Sequence, residues 1–143
     1  MKHLLREHQL KATKGRVAVM ELLFHEKKPL SAEEIHERIN DEMATSLSTI
    51  YRILAQLTEV GILRNSLSLG GADYYEWNGD PHHHHYIICE SCGRVDPLHN
   101  CPLEHLNRHV QEETGYTITG HQFQLQGLCR DCQEKIAAEN RKK

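Results

Sequence analysis

Apolar and polar positions follow two different periods along this 143-residue chain. Helical spacing rules the first half. Thr13 to Glu26 collects Val17, Met20, Leu22, Leu23 and Phe24 on an apolar face, with Thr13 placed as N-cap. Ser31-Ala-Glu-Glu34 fits a capping box, with Ser31 at the cap and Glu34 three residues on. The helix it opens repeats Ile35 and Ile39 at i, i+4. After a short polar connection, Ser46 or Ser48 caps a third helix whose apolar face is Ile50, Ile53, Leu54 and Leu57, and Gly61 ends it. Residues 62–67 and 72–77 read as strands joined across Gly70-Gly71, a hairpin signal. Three helices and a hairpin predict a winged helix-turn-helix unit over residues 1–78.

The second half is patterned differently. His82-His83-His84-His85 runs into Tyr86-Ile87-Ile88, which reads as a strand. Alternation in a strand sends His82 and His84 to one face and His83 and His85 to the other. Asn100-Cys-Pro-Leu-Glu104 opens a helix with Pro102 in its first turn, Leu103, Leu106 and Val110 as a buried stripe, and Gly115 as its stop. Residues 116–119 and 121–126 alternate and predict two further strands. The turn-forming Gly79-Asp80-Pro81 separates this half from the first. The expected fold is therefore α+β: an N-terminal winged-helix domain and a small α/β domain over residues 82–143.

Composition sharpens the division. Residues 1–75 hold no cysteine and four of the twelve histidines, so all five cysteines and eight histidines fall in the other half. Two pairs, Cys89-x-x-Cys92 and Cys129-x-x-Cys132, can supply four thiolates to one tetrahedral zinc. No apolar run approaches the ~18 residues a membrane span needs, and no secretory signal is visible, so the expected location is the cytoplasm. There, paired cysteines read as metal ligands rather than disulfides. Four cysteines complete a closed structural site. The histidine run, with Glu104 and His121, therefore suggests a second metal. Cys101, the odd cysteine, could be a small buried residue, a weakly reactive thiol or an accessory ligand, the first being favoured, and His105 and His109 read as exposed helix positions.

The third helix leaves Thr49, Tyr51, Arg52 and Gln56 outside its apolar face. Arg can fork to guanine, and Tyr or Thr can meet a thymine methyl or a phosphate. Lys11, Lys14, Arg16 and Arg52 could form a basic stripe, although a net charge of −3 gives no polybasic tail. Enzyme readings find little support: H-E-x-x-H and the Pro-Cys-x-x-Cys of zinc deaminases are both missing. A zinc-ribbon interaction module is the other alternative.

Ala12-Thr-Lys-Gly-Arg16, Ser31-Ala-Glu-Glu34, Ser48-Thr-Ile-Tyr-Arg52, the run HHHHYIICESCG and the tail TGHQFQLQGLCRDC together resemble the ferric uptake regulator family, in order and over nearly the whole chain. The resemblance implies a homodimeric, metal-dependent transcriptional repressor of metal-uptake genes. Its winged helix would bind palindromic AT-rich double-stranded operator DNA, and its C-terminal domain would dimerise. The implied DNA contacts are Lys11, Arg16, Ser48, Thr49, Tyr51 and Arg52. Cys89, Cys92, Cys129 and Cys132 would hold structural zinc. One sensing site would draw on His82, His84, Glu104 and His121, and a hinge site on Glu76, His83 and His85. The spacer Tyr86-Ile87-Ile88 is one residue longer than the family's, so the pairs His82/His84 and His83/His85 can trade roles. Pro29-Leu30 stands where iron- and manganese-sensing members carry a His. Asn-Cys-Pro-Leu-Glu104 and the Thr-Gly-His121 tail look most like the zinc uptake regulator branch. Zinc is thus the favoured second metal, with iron, manganese or nickel as alternatives, and a peroxide sensor of the same family is also open.

Overall fold

The computed structural model of the chain describes residues 1–40, 43–79, 85–99 and 101–142. The chain divides into two compact units, Met1–Pro81 and His82–Lys143.

The first unit contains α1 (Lys2–Glu7), α2 (Lys14–His25), β1 (Leu30–Ser31), α3 (Ala32–Asn40), α4 (Leu47–Glu59), β2 (Leu63–Leu69) and β3 (Ala72–Trp77). Local signals place most of these boundaries. The Arg16 amide donates to Thr13 Oγ1 at 3.3 Å, which caps α2. The Ser31 amide donates to Glu34 Oε2 at 2.8 Å and the Glu34 amide to Ser31 Oγ at 3.2 Å, a reciprocal capping box. Ser46, not Ser48, caps α4: the Thr49 amide donates to its Oγ at 3.3 Å.

The apolar faces meet in one core built from Val19, Met20 and Leu23 of α2, Ile35 of α3, Ile50, Leu54 and Leu57 of α4, and Leu63 of β2. Gly15 lets α2 pack closely against α4. A methyl there would lie 3.1 Å from Ile53 Cδ1. The sheet order is β1-β3-β2, so β1 adds a strand that the pattern did not signal. Gly70 and Gly71 both have positive φ, +58° and +84°, as the tight turn between β2 and β3 requires. The short α1 was also unsignalled; it contributes the fully buried Leu5 to the core.

The second unit contains β4 (His85–Cys89), β5 (Val95–Leu98), α5 (Glu104–Thr114), β6 (Gln124–Gly127) and α6 (Arg130–Arg141). Its sheet runs β5-β4-β6, antiparallel between β4 and β5 and parallel between β4 and β6. Pro97 sits on β5, an edge strand, where its missing N–H costs least.

Two expectations are corrected here. Residues 116–119 form no strand; the Ile118 amide is taken by Gln111 Oε1 of α5 at 2.9 Å. The stripe Leu103, Leu106 and Val110 is not buried within the chain: α5 has no buried residue, and Leu106 is 53% exposed.

Candidate metal centres and DNA-reading face

The four paired cysteines converge at one end of the second sheet. Cys89 closes β4, and the chain then turns back on itself: the Gly93 amide donates to Cys89 O at 2.9 Å and the Cys89 amide to Arg94 O at 2.8 Å. Gly93 has φ +73°, which a side chain would strain. This knuckle presents Cys89 and Cys92. The parallel pairing of β6 sets Gly127 beside Cys89, so the chain leaving β6 delivers Cys129, the N-cap of α6, and Cys132 to the same place.

The Cys129 amide donates to Cys89 Sγ at 3.3 Å, and Cys92 Sγ lies 3.8 Å from Cys129 Sγ. All four sulfurs lie within 4.8 Å of one another. Tetrahedral zinc, with Zn–S about 2.3 Å, sets sulfur–sulfur edges at about 3.8 Å. The cluster is therefore consistent with a structural zinc site. Its electrostatics favour a cation. Amide hydrogen bonds from Cys129 and Cys92 bring the Cys89 thiol down to about 6. At Cys132 a hydrogen bond with Ser91 acts to lower the value, but hydrogen bonding with Cys129 and burial outweigh it and push the thiol up to about 11. One thiolate forms readily, while the last resists ionising beside it until positive charge is supplied. Arg94 stands at the rim, 3.1 Å from Asp96 and 3.0 Å from Asp131, tying the knuckle strand to α6.

A second donor cluster lies elsewhere in this unit. His85 Nε2 is 2.9 Å from His121 Nε2 and 3.3 Å from Cys101 Sγ, and Cys101 Sγ is 3.5 Å from His121 Nε2. The three come from the start of β4, the segment before α5 and the segment before β6. His85 is buried, 5% exposed; Cys101 and His121 are half-buried. Cys101 is half-buried and lies against two imidazoles. Its partners stand 16 and 20 residues away, and the only hint in sequence was a fifth cysteine left over in a histidine-rich half. The structure brings His121 together with His85. Glu104 lies exposed in the first turn of α5, outside this donor set. His82, His83 and His84 lie outside the described residues. Glu76 belongs to the first unit, where it is buried on β3 and accepts a hydrogen bond from Arg64 Nε at 2.5 Å. This second, mixed nitrogen–sulfur cluster could bind a divalent metal.

The candidate DNA contacts all lie in the first unit. Ser48, Tyr51 and Arg52 are exposed on α4, Thr49 is half-buried, and Lys11 is exposed before α2. The Arg52 guanidinium reaches Thr49 Oγ1 at 3.5 Å. Arg16 is committed internally: its guanidinium donates to Lys11 O and to Gln56 Oε1, each at 2.7 Å, pinning the segment before α2 to α4. Tyr51 Oη donates to Glu33 Oε1 at 2.6 Å, which fixes the ring against α3. That bond raises the Tyr51 phenol above its usual value and lowers the Glu33 carboxyl. Glu33→Gln is expected to return Tyr51 toward the ordinary phenol range. A difference titration of phenolate absorbance against the parent protein checks this, and an unchanged curve counts against the contact.

A model of the ferric uptake regulator family matches residues 7–126. The chain belongs to this family. The ferric uptake regulation protein of Neisseria meningitidis is 37% identical over 134 residues, covering 92% of each chain. Among solved structures, the ferric uptake regulator of Helicobacter pylori superposes with a TM-score of 0.80 at 26% identity, covering 92% of this chain and 88% of that one. That regulator is described as having three functional metal-binding sites. The Vibrio cholerae regulator gives 0.80 at 27% identity over 90% of this chain and 98% of its own. Similarity on this scale makes the present regulator a DNA-binding transcription factor and not an enzyme.

Proposed function

We propose that this regulator is a repressor of metal-uptake genes that binds operator DNA as a metal-loaded homodimer in the cytoplasm, with zinc as effector. The observation that carries the reading is the second donor cluster. A chain with a complete four-cysteine centre has no structural need of another, and His85, Cys101 and His121 offer a partly open one. The names of its relatives, ferric uptake regulators and a peroxide-responsive repressor among them, leave the metal undecided. The donor chemistry supports zinc, since thiolate and imidazole suit it better than they suit manganese. The 2.9 Å approach of His85 to His121 supports the traded register, in which His83 and His85 would serve the site of His121, and His82 and His84 the hinge site with Glu76. Glu104 remains a candidate for the sensing site. Dimerisation is supported by the apolar side chains that the second unit leaves exposed, Leu106, Leu125 and Ile136.

The regulatory principle is linkage. Donors that hold a cation more tightly in the DNA-competent arrangement raise operator affinity, and DNA raises metal affinity by the same factor. A palindromic AT-rich duplex followed by fluorescence anisotropy at buffered free zinc, iron(II), manganese and nickel tests this. The expected gain with zinc is about 5–150-fold. Equal operator affinity with and without the second metal overturns the reading.

A further inference from the structure

We propose that Cys101 is a metal ligand, and that with His85 and His121 it makes the second centre a nitrogen–sulfur site selective for a borderline-soft divalent cation such as zinc. The proposal deepens the regulatory reading above and rests on it for its consequence in DNA binding. Three observations carry it. Tetrahedral zinc with bonds of about 2.0–2.1 Å to nitrogen and 2.3 Å to sulfur places its ligands about 3.3 Å apart for two nitrogens and about 3.6 Å for nitrogen and sulfur. The donor triangle measures 2.9, 3.3 and 3.5 Å, each edge within about 0.4 Å of these values and on the tight side. One cation can therefore sit among all three with only a slight opening of the triangle.

The donors are also held from outside. His121 Nδ1 lies 3.1 Å from the side-chain amide of Asn107. Nitrogen and oxygen of an amide are interchangeable by rotation. With the oxygen turned to the ring, Asn107 accepts a hydrogen bond from Nδ1–H and leaves Nε2 as the lone-pair donor that faces Cys101. A second partner of this kind is the common companion of a ligating histidine. His85 is steadied by its stacking on His121, with centroids 4.9 Å apart, and by the Phe123 ring set edge-on at 5.5 Å.

Finally, Cys101 and His121 keep partial exposure, so a cation can enter and leave without unfolding the unit. Sulfur in the set shifts preference away from manganese and magnesium and toward zinc and cobalt.

The test uses the full chain carrying one zinc in the four-cysteine centre, confirmed by metal analysis, and adds cobalt(II) as a second equivalent. A thiolate-to-cobalt charge-transfer band in the near ultraviolet is expected for the wild type. Absence of that band on a bound second cobalt overturns the proposal without any variant. Cys101→Ser is expected to lose the band, keep its first zinc, and bind the second zinc more weakly in chelator competition, by at least the ~10–100-fold that losing a mere outer-shell partner costs. Cys101→Ser or Cys101→Ala with the wild-type spectrum and affinity overturns it. Operator binding in the same samples separates the two readings. Wild-type DNA binding that ignores the second metal removes the regulatory function but leaves the ligand set standing. Metal-dependent binding identical in wild type and Cys101→Ser removes the ligand and leaves the function.

Discussion

Cys132→Ser is expected to strip the zinc from the four-cysteine centre and to melt the unit His82–Lys143. The reason is the size of that unit's own core. Its described buried hydrophobic residues are Tyr86, Ile88, Cys89, Val95 and Cys132, and two of the five are metal-ligand candidates. The helix α5 buries nothing, and the sole buried residue of α6 is Cys132 itself. The long helix at the end of the chain is thus held to the sheet through Cys129 and Cys132, with Arg94–Asp131 as an exposed accessory worth little. Structural zinc supplies about 10–16 kcal/mol of apparent binding energy in small metal-folded domains. That exceeds the ~5–15 kcal/mol total stability of an ordinary domain. Loss of the metal should therefore dominate every other contribution in this unit. A strong chelator should act like the substitution, with loss of helical circular dichroism and of one zinc per chain. A Cys132→Ser protein that loses its zinc yet keeps its melting profile would show that the sheet and α5 suffice. The first unit has no cysteine and should lose none of its own buried contacts.

Local signals made the first unit legible. The Thr13 cap, the Ser31–Glu34 box and the Gly70-Gly71 turn are short-range interactions whose partners are three or fewer residues apart, and each formed at its expected place. The pairs Cys89-x-x-Cys92 and Cys129-x-x-Cys132 announced a common site because their spacing has few other uses. What stayed hidden depended on distant partners. Residues 116–119 alternate as a strand does, but β4 already has β5 and β6 on its two edges, and the Gln111 side chain claims the Ile118 amide. The two-residue β1 is too short to carry a period and exists because Tyr74 and Tyr75 of β3 pair with it. The neighbours of Cys101 were hidden because His85 and His121 lie 16 and 20 residues away in sequence. The apolar stripe of α5 was visible as a stripe, but α5 has no buried residue.

Leu54→Ala and Arg52→Ala are expected to weaken operator binding for opposite physical reasons, although they are two residues apart on α4. Leu54 is fully buried, among Val19, Met20, Ile50 and Leu57 in one cluster. Truncation removes buried methyl groups and leaves a cavity, costing about 2–5 kcal/mol. Against a total of ~5–15 kcal/mol, that threatens the fold of the first unit. Its urea midpoint should fall sharply, and DNA binding should fall because less folded protein is present. Arg52 is exposed, and its contact with Thr49 Oγ1 is a long one at 3.5 Å. Removing it should leave stability within about 0.5 kcal/mol. If Arg52 meets a base edge, the loss in operator affinity should be about 1–3 kcal/mol, with specificity relaxed at one position. If it meets phosphate, binding should weaken on all sequences alike and the salt slope should drop by about one. Urea melts and anisotropy titrations on the same samples separate these outcomes. An Arg52→Ala protein that binds operator with unchanged affinity and salt dependence would remove α4 as the reading helix, and a Leu54→Ala protein with an unchanged midpoint would contradict the packing that sets its pitch.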